Sequence, residues 1–133
     1  MYLMKKINWT KAIVFGVLIW LITDYFVWCF MNFDLIDKII PKIIVILVAG
    51  LLSFFFALNF RYLTLLQAFE YGLIWIAICV ILDIIISIQF NVDIFNTWEY
   101  MLGHALIIVI PIIVAKLKET ETTDVPQGEA TQN

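Results

Sequence analysis

The sequence predicts an all-α fold: an integral membrane four-helix bundle. Three observations lead there: four apolar runs of spanning length, a composition too apolar for a water-soluble core, and short polar turns between the runs. The runs cover residues 12–31, 43–60, 71–90 and 98–115. Each holds about 18–20 residues, the length a helix needs to cross a hydrocarbon layer about 30 Å thick. The hydrophobic fraction is 64% and the mean hydropathy +1.02, against about 45–50% apolar usage in soluble domains. A chain of 133 residues cannot fold that much apolar surface away from water, so the lipid bilayer has to be its solvent.

The elements follow in order. Asn8 and Thr10 are candidate caps for the first helix. Lys5, Lys6 and Lys11 precede an apolar stretch as in a signal peptide, but that stretch runs long and ends in Tyr25-Phe26-Val27-Trp28-Cys29-Phe30. With no small-residue cleavage site, it reads as a retained signal anchor. A polar turn, Asn32 to Lys38, leads to Pro41, which suits the first turn of the second helix. Arg61 and Lys42 are expected to snorkel to the interfaces, with a reach toward the outer cluster as a counter-ion the alternative for Lys42, and Arg61 to pair with Glu70 across the second link. Asn91 to Thr97 forms the third turn, and Trp98 and Tyr100 are placed as interfacial anchors. Pro111 removes one hydrogen bond inside the fourth helix and predicts a bend near Ile107, a candidate hinge. Residues 1–118 thus make one transmembrane domain. Residues 119–133, rich in Thr, Glu, Gln, Gly and Pro, are expected to be a disordered acidic cytoplasmic tail.

Charge sets orientation. The net charge of −3 comes from the tail, which carries four acids and no Lys or Arg; the body holds eight basic against seven acidic residues. Six of the eight cations (Lys5, Lys6, Lys11, Arg61, Lys116 and Lys118) fall at the termini and the second loop, and two (Lys38 and Lys42) in the first. The positive-inside bias predicts a multi-pass plasma-membrane protein with both termini cytoplasmic. Eight scattered cations make no basic stripe, so nucleic acid is not an expected partner.

Ionisable groups within the runs are the candidate chemistry, because lipid penalises them by several kcal/mol unless they find a partner, water or a task. Asp24 lies 12 residues past Ala12, Asp83 lies 12 past Tyr71, and His104 lies six past Trp98. At about 1.5 Å per residue this is about 18 Å up for each acid and about 9 Å down for the imidazole. In a core about 30 Å thick all three fall within about 9–12 Å of the outer edge. Gly16, Trp20, Asp24 and Trp28 form one stripe, and Gly72, Cys79, Asp83 and Ser87 another. Ala49, Ser53 and Ala57 line the second helix with small side chains that permit close helix packing. Together these predict a seam that widens outward around an Asp24, Asp83 and His104 cluster. Nearby carboxylates can hold a shared proton, and an imidazole can accept or relay it.

Other chemistry has no support. No nucleophile elbow, HExxH, phosphate loop or dinucleotide turn is present, so neither enzyme activity nor a cofactor is expected. A single His cannot supply a multi-histidine metal site, and Cys29 and Cys79 read as apolar packing. Most of the 21 aromatics read as lipid-facing bulk and interfacial belts. Gly16-Val17-Leu18-Ile19-Trp20 echoes Gly72-Leu73-Ile74-Trp75, an offset of 56, against 64 for the Ile43 and Ile107 runs; low-complexity coincidence explains it. The expected function is structural or accessory, in a membrane assembly or a homo-oligomer. The alternative is a small proton- or cation-coupled transporter or channel using the outer cluster.

Gly72-Leu73-Ile74-Trp75, Leu82-Asp83-Ile84 and Trp98-Glu99-Tyr100-Met101-Leu102-Gly103 give the second half a resemblance to uncharacterised small four-helix prokaryotic integral membrane proteins. Those look-alikes continue after the Asp with Thr-x-Pro, where this chain has Ile86-Ser87-Ile88-Gln89. The resemblance implies architecture and a prokaryotic source. It carries no activity and no functional residue.

Overall fold

The computed structural model describes residues 7–60, 63–89 and 96–123. Four helices build it among the described residues: α1 (Trp9–Asn32), α2 (Ile39–Leu58), α3 (Leu65–Ile85) and α4 (Trp98–Thr123), with a 3₁₀ turn, Ser87–Gln89, after α3. All four are long and apolar enough to cross a membrane. Val17, Leu47, Ile81 and Val109 are among the apolar side chains exposed on their outer faces.

Several boundaries differ from expectation, each for a local reason. Asn8 caps α1 by accepting from the Lys11 amide at 3.1 Å. That helix ends in a Schellman turn: the Leu35 amide reaches the Phe30 carbonyl, the Asp34 amide reaches Met31, and Asp34 adopts φ 53°. α3 begins six residues before the predicted Tyr71, because Thr64 and Gln67 form a reciprocal capping box. α4 continues through Glu119 to Thr123, beyond the expected boundary at 118. The remainder of the expected tail, 124–133, and Arg61, with its expected partnership to Glu70, lie outside the described residues.

The packing is two helical hairpins laid side by side. α1 packs chiefly on α3 and α2 on α4, both parallel pairs, while α3 with α4 and α1 with α2 close the ring. The α1–α3 pair keeps one register throughout. The Asn8 amide meets the Tyr71 hydroxyl, the Cys79 thiol the Gly16 carbonyl, Trp20 meets Asp83 and Ser87 meets Asp24, each pair 63 residues apart.

The two ends of the bundle differ. Near the chain termini it is filled by aromatics: Phe15 stacks on Phe56 at 4.4 Å, Phe60 lies tilted against Tyr71 at 4.3 Å, and fully buried Trp75 packs against all four. These rings are core, so the reading of the aromatics as mainly lipid-facing fails for them. Lys118 closes that end by donating to the free carbonyls of Leu58 and Phe60 at the end of α2.

Mid-bundle, α3 and α4 touch backbone to backbone: a Cβ on Gly72 would lie 3.0 Å from the Ile108 Cα. Pro111 is buried in α4 and cannot donate to the Ile107 carbonyl four residues earlier. Ser53 of α2 donates to that carbonyl instead, at 3.3 Å. Ala49 and Ala57 are buried with Ser53 along α2.

Candidate functional site

Opposite the aromatic end, the helices surround a cavity of about 200 Å³. It reaches from Ile19, Ala49 and Ile107 up to Ile36, Asp37 and Thr97 in the connecting turns. Asp24, Asp83 and His104 all line it. The cavity thus stops at the middle of the bundle and extends to the end where α1 and α3 finish and α2 and α4 begin.

Asp83 is the better satisfied carboxylate. Only 5% exposed, it accepts from the Trp20 indole N–H at 2.8 Å and from the Ser87 hydroxyl at 3.0 Å through Oδ1. Tyr100 of α4 lines the same cavity as Asp83. Asp24 is half-buried, and its Oδ1 lies 3.1 Å from the Ser87 Oγ.

That geometry counts protons. A serine hydroxyl has one hydrogen and cannot make a full, linear hydrogen bond to two carboxylates at once. Both contacts are satisfied together when one carboxyl is protonated and donates to Ser87 Oγ, while Ser87 donates to the other. Asp83 thus collects two donors, the Trp20 indole N–H and the Ser87 hydroxyl, whereas Asp24 meets Ser87.

His104 faces the same space from α4. Its Nδ1–H donates to the Tyr100 carbonyl at 2.8 Å, which makes Nε2 the acceptor of the neutral ring. Nε2 and the Thr23 hydroxyl are buried with no hydrogen-bond partner. The Tyr100 and His104 rings lie 4.1 Å apart between centroids, tilted by 35°. Tyr100 is therefore an inward wall of the cavity, not the interfacial anchor its position suggested, whereas Trp98 is exposed.

The mouth carries an ion pair. Lys42, in the first turn of α2, lies 2.5 Å from Glu99 in the first turn of α4, with side chains 27% and 11% exposed. Lys42 therefore turns into the bundle instead of snorkelling, because a carboxylate lies level with it on the adjacent parallel helix. With Asp37 on the rim, four acids and one lysine line the cavity.

No family model matches the chain, and no curated protein or solved structure matches it. The geometry of the cavity therefore carries the functional argument.

One further residue departs from the sequence reading. Trp28, assigned to the stripe with Gly16, is exposed. A four-residue spacing overshoots a turn of about 3.6 residues, so three such steps rotate it by about 120° from Gly16. Cys79 is buried and Cys29 partly buried, and both are free thiols. Glu99, the partner of Lys42, and Tyr100 were missed as cavity residues. A visible signal was the placement of opposite charges in the first turns of two helices that share a direction.

Proposed function

We propose that the chain is a multi-pass plasma-membrane protein, both termini cytoplasmic, that acts as a small proton- and cation-coupled carrier or channel through a vestibule open to the outside. The sharing of Ser87 between Asp24 and Asp83 on a cavity wall carries this reading, since one proton held between the two carboxyls would satisfy both contacts. The Lys and Arg distribution supports the orientation. Four helices make a thin wall around any solute path, so the working unit is a homodimer.

A second reading keeps the protein structural, as an accessory subunit. The Trp20–Asp83 and Ser87–Asp24 bonds favour it, because they clasp α1 to α3. Such bonds inside membranes contribute about 0.6–2 kcal/mol each.

Asp24→Asn separates the two. Its amide donates to Ser87 Oγ as a protonated carboxyl would, so the clasp survives while proton exchange stops. In liposomes of the purified full chain with an entrapped pH dye, an external acid pulse drives proton uptake by the native protein. Uptake falls to background in Asp24→Asn with unfolding resistance unchanged. An Asp24→Asn protein that transports at the native rate refutes the proposal. Silent uptake together with stable co-purifying subunits establishes the accessory role.

A further inference from the structure

We infer that the ligand of the vestibule is a small protonated primary amine with a short hydrocarbon body, taken at Asp24 in exchange for its proton and tuned by the Lys42–Glu99 pair. This rests on the proton-exchange reading above and adds to it the class of substrate and the residues that set its affinity.

Three features define the class. Excess negative charge asks for a cation. Among the described residues no three His, Cys, Asp or Glu side chains are grouped to hold a metal ion. The rest of the wall is apolar or aromatic, with Ile19, Val45, Ile46, Ile107, Trp20 and Tyr100, which suits an alkyl body and offers ring faces to a positive head.

Hydrogen-bond bookkeeping narrows it to a primary amine. His104 Nε2 and Thr23 Oγ1 are buried, unpartnered and able to accept. An R–NH₃⁺ head brings three N–H donors for the Asp24 carboxylate and, directly or through water, for these atoms. A quaternary ammonium brings none. Lys42 shows the fit within the chain itself: its side chain is a primary ammonium on an alkyl stem, seated in this cavity against Glu99.

The exchange balances. R–NH₃⁺ arrives at neutral Asp24–COOH; the O–H bond breaks, the proton leaves through the mouth to water, and R–NH₃⁺ pairs with Asp24–COO⁻. The net charge of the site is unchanged. Lys42 neutralises Glu99 and so withholds one anion from the ligand. Loss of Glu99 leaves the Lys42 ammonium uncompensated at the mouth, where it opposes an entering cation.

The test uses the full chain in nanodiscs, in weak buffer at constant ionic strength. Titrations with n-butylammonium, tetramethylammonium, Na⁺ and Mg²⁺ are followed by calorimetry and a pH indicator. Saturable butylammonium binding with about one proton released per amine is expected, with tetramethylammonium weaker by about tenfold or more. Glu99→Gln is expected to weaken butylammonium by about tenfold. Lys42→Met is expected to strengthen it, and adding Glu99→Gln to Lys42→Met removes that gain. Glu99→Gln keeps the shape of the side chain and its contact with Lys42 at the mouth, so it serves if Lys42→Met does not fold.

Tetramethylammonium, Na⁺ or Mg²⁺ binding as tightly as butylammonium overturns the inference, as does amine binding without proton release. Unchanged affinity in Glu99→Gln overturns the tuning role. Proton uptake that depends on Asp24 without any amine binding sinks this inference and leaves the proton reading standing. Loss of Asp24 dependence in both assays sinks both.

Discussion

Ser53 and Pro111 test whether the hydrogen bond between α2 and α4 replaces the one that proline deletes. In the native chain the Ile107 carbonyl has no amide at position 111 and takes the Ser53 hydroxyl at 3.3 Å. Ser53→Ala leaves that carbonyl bare in a buried site. Inter-helix hydrogen bonds in membrane proteins average about 0.6 kcal/mol and reach about 1.7, and an orphaned buried acceptor costs about 1–3 kcal/mol. A loss of about 1–2 kcal/mol is therefore expected. Pro111→Ala restores an amide to α4, which closes the helix on the Ile107 carbonyl, and Ser53 can fall back on its own helix. In that background Ser53→Ala should cost close to nothing. The four proteins form a double-mutant cycle, read by denaturant titration in mixed micelles with far-UV circular dichroism. The expected coupling is about 1 kcal/mol or more. The packing loss from the smaller side chain at position 111 cancels within the cycle. Equal Ser53→Ala losses in the native and Pro111→Ala backgrounds would refute the replacement.

Two other outcomes follow from the same geometry. Gly72→Ala meets the Ile108 Cα at 3.0 Å and the Ile107 carbonyl at 3.3 Å, backbone atoms that cannot rotate away, so a loss of about 1–3 kcal/mol is expected in the same titration. Gly103 is also buried, yet a Cβ there would meet nothing within 4 Å, because it faces the cavity. Gly103→Ala should therefore be tolerated, and Gly103→Leu should keep the fold while abolishing butylammonium binding in the calorimeter.

The parts of the molecule that depend on one helix at a time were open to sequence reading. Four apolar runs gave four helices, and 1.5 Å steps from their ends brought Asp24, Asp83 and His104 to a comparable height; all three line one cavity. What depended on which helix neighbours which was hidden. Ser53 looked like a small packing residue because its acceptor lies on α4, and nothing in the letters sets α2 beside α4. The repeat between the Gly16 and Gly72 segments pointed to an offset of 56, whereas the helices pair at 63, one heptad further on. Burial rotates with the true helical pitch and not with a four-residue stripe, which is why Trp28 faces out. The Thr64 and Gln67 capping box was legible but lay ahead of Glu70, a charge that seemed to belong to a loop.

The constant 63-residue spacing has a consequence for how the chain is made. Asp24 finds no partner in its own hairpin; Ser87 belongs to the next. At a synthesis rate of roughly 5–20 residues per second, the ribosome delivers Ser87 about 3–13 s after Asp24. On the proposed four-span topology, the first hairpin waits that long with an unsatisfied acid among acyl chains. Biogenesis therefore calls for the insertion machinery, or a resident chaperone, to hold α1 at its lateral gate until the second hairpin arrives to shelter it.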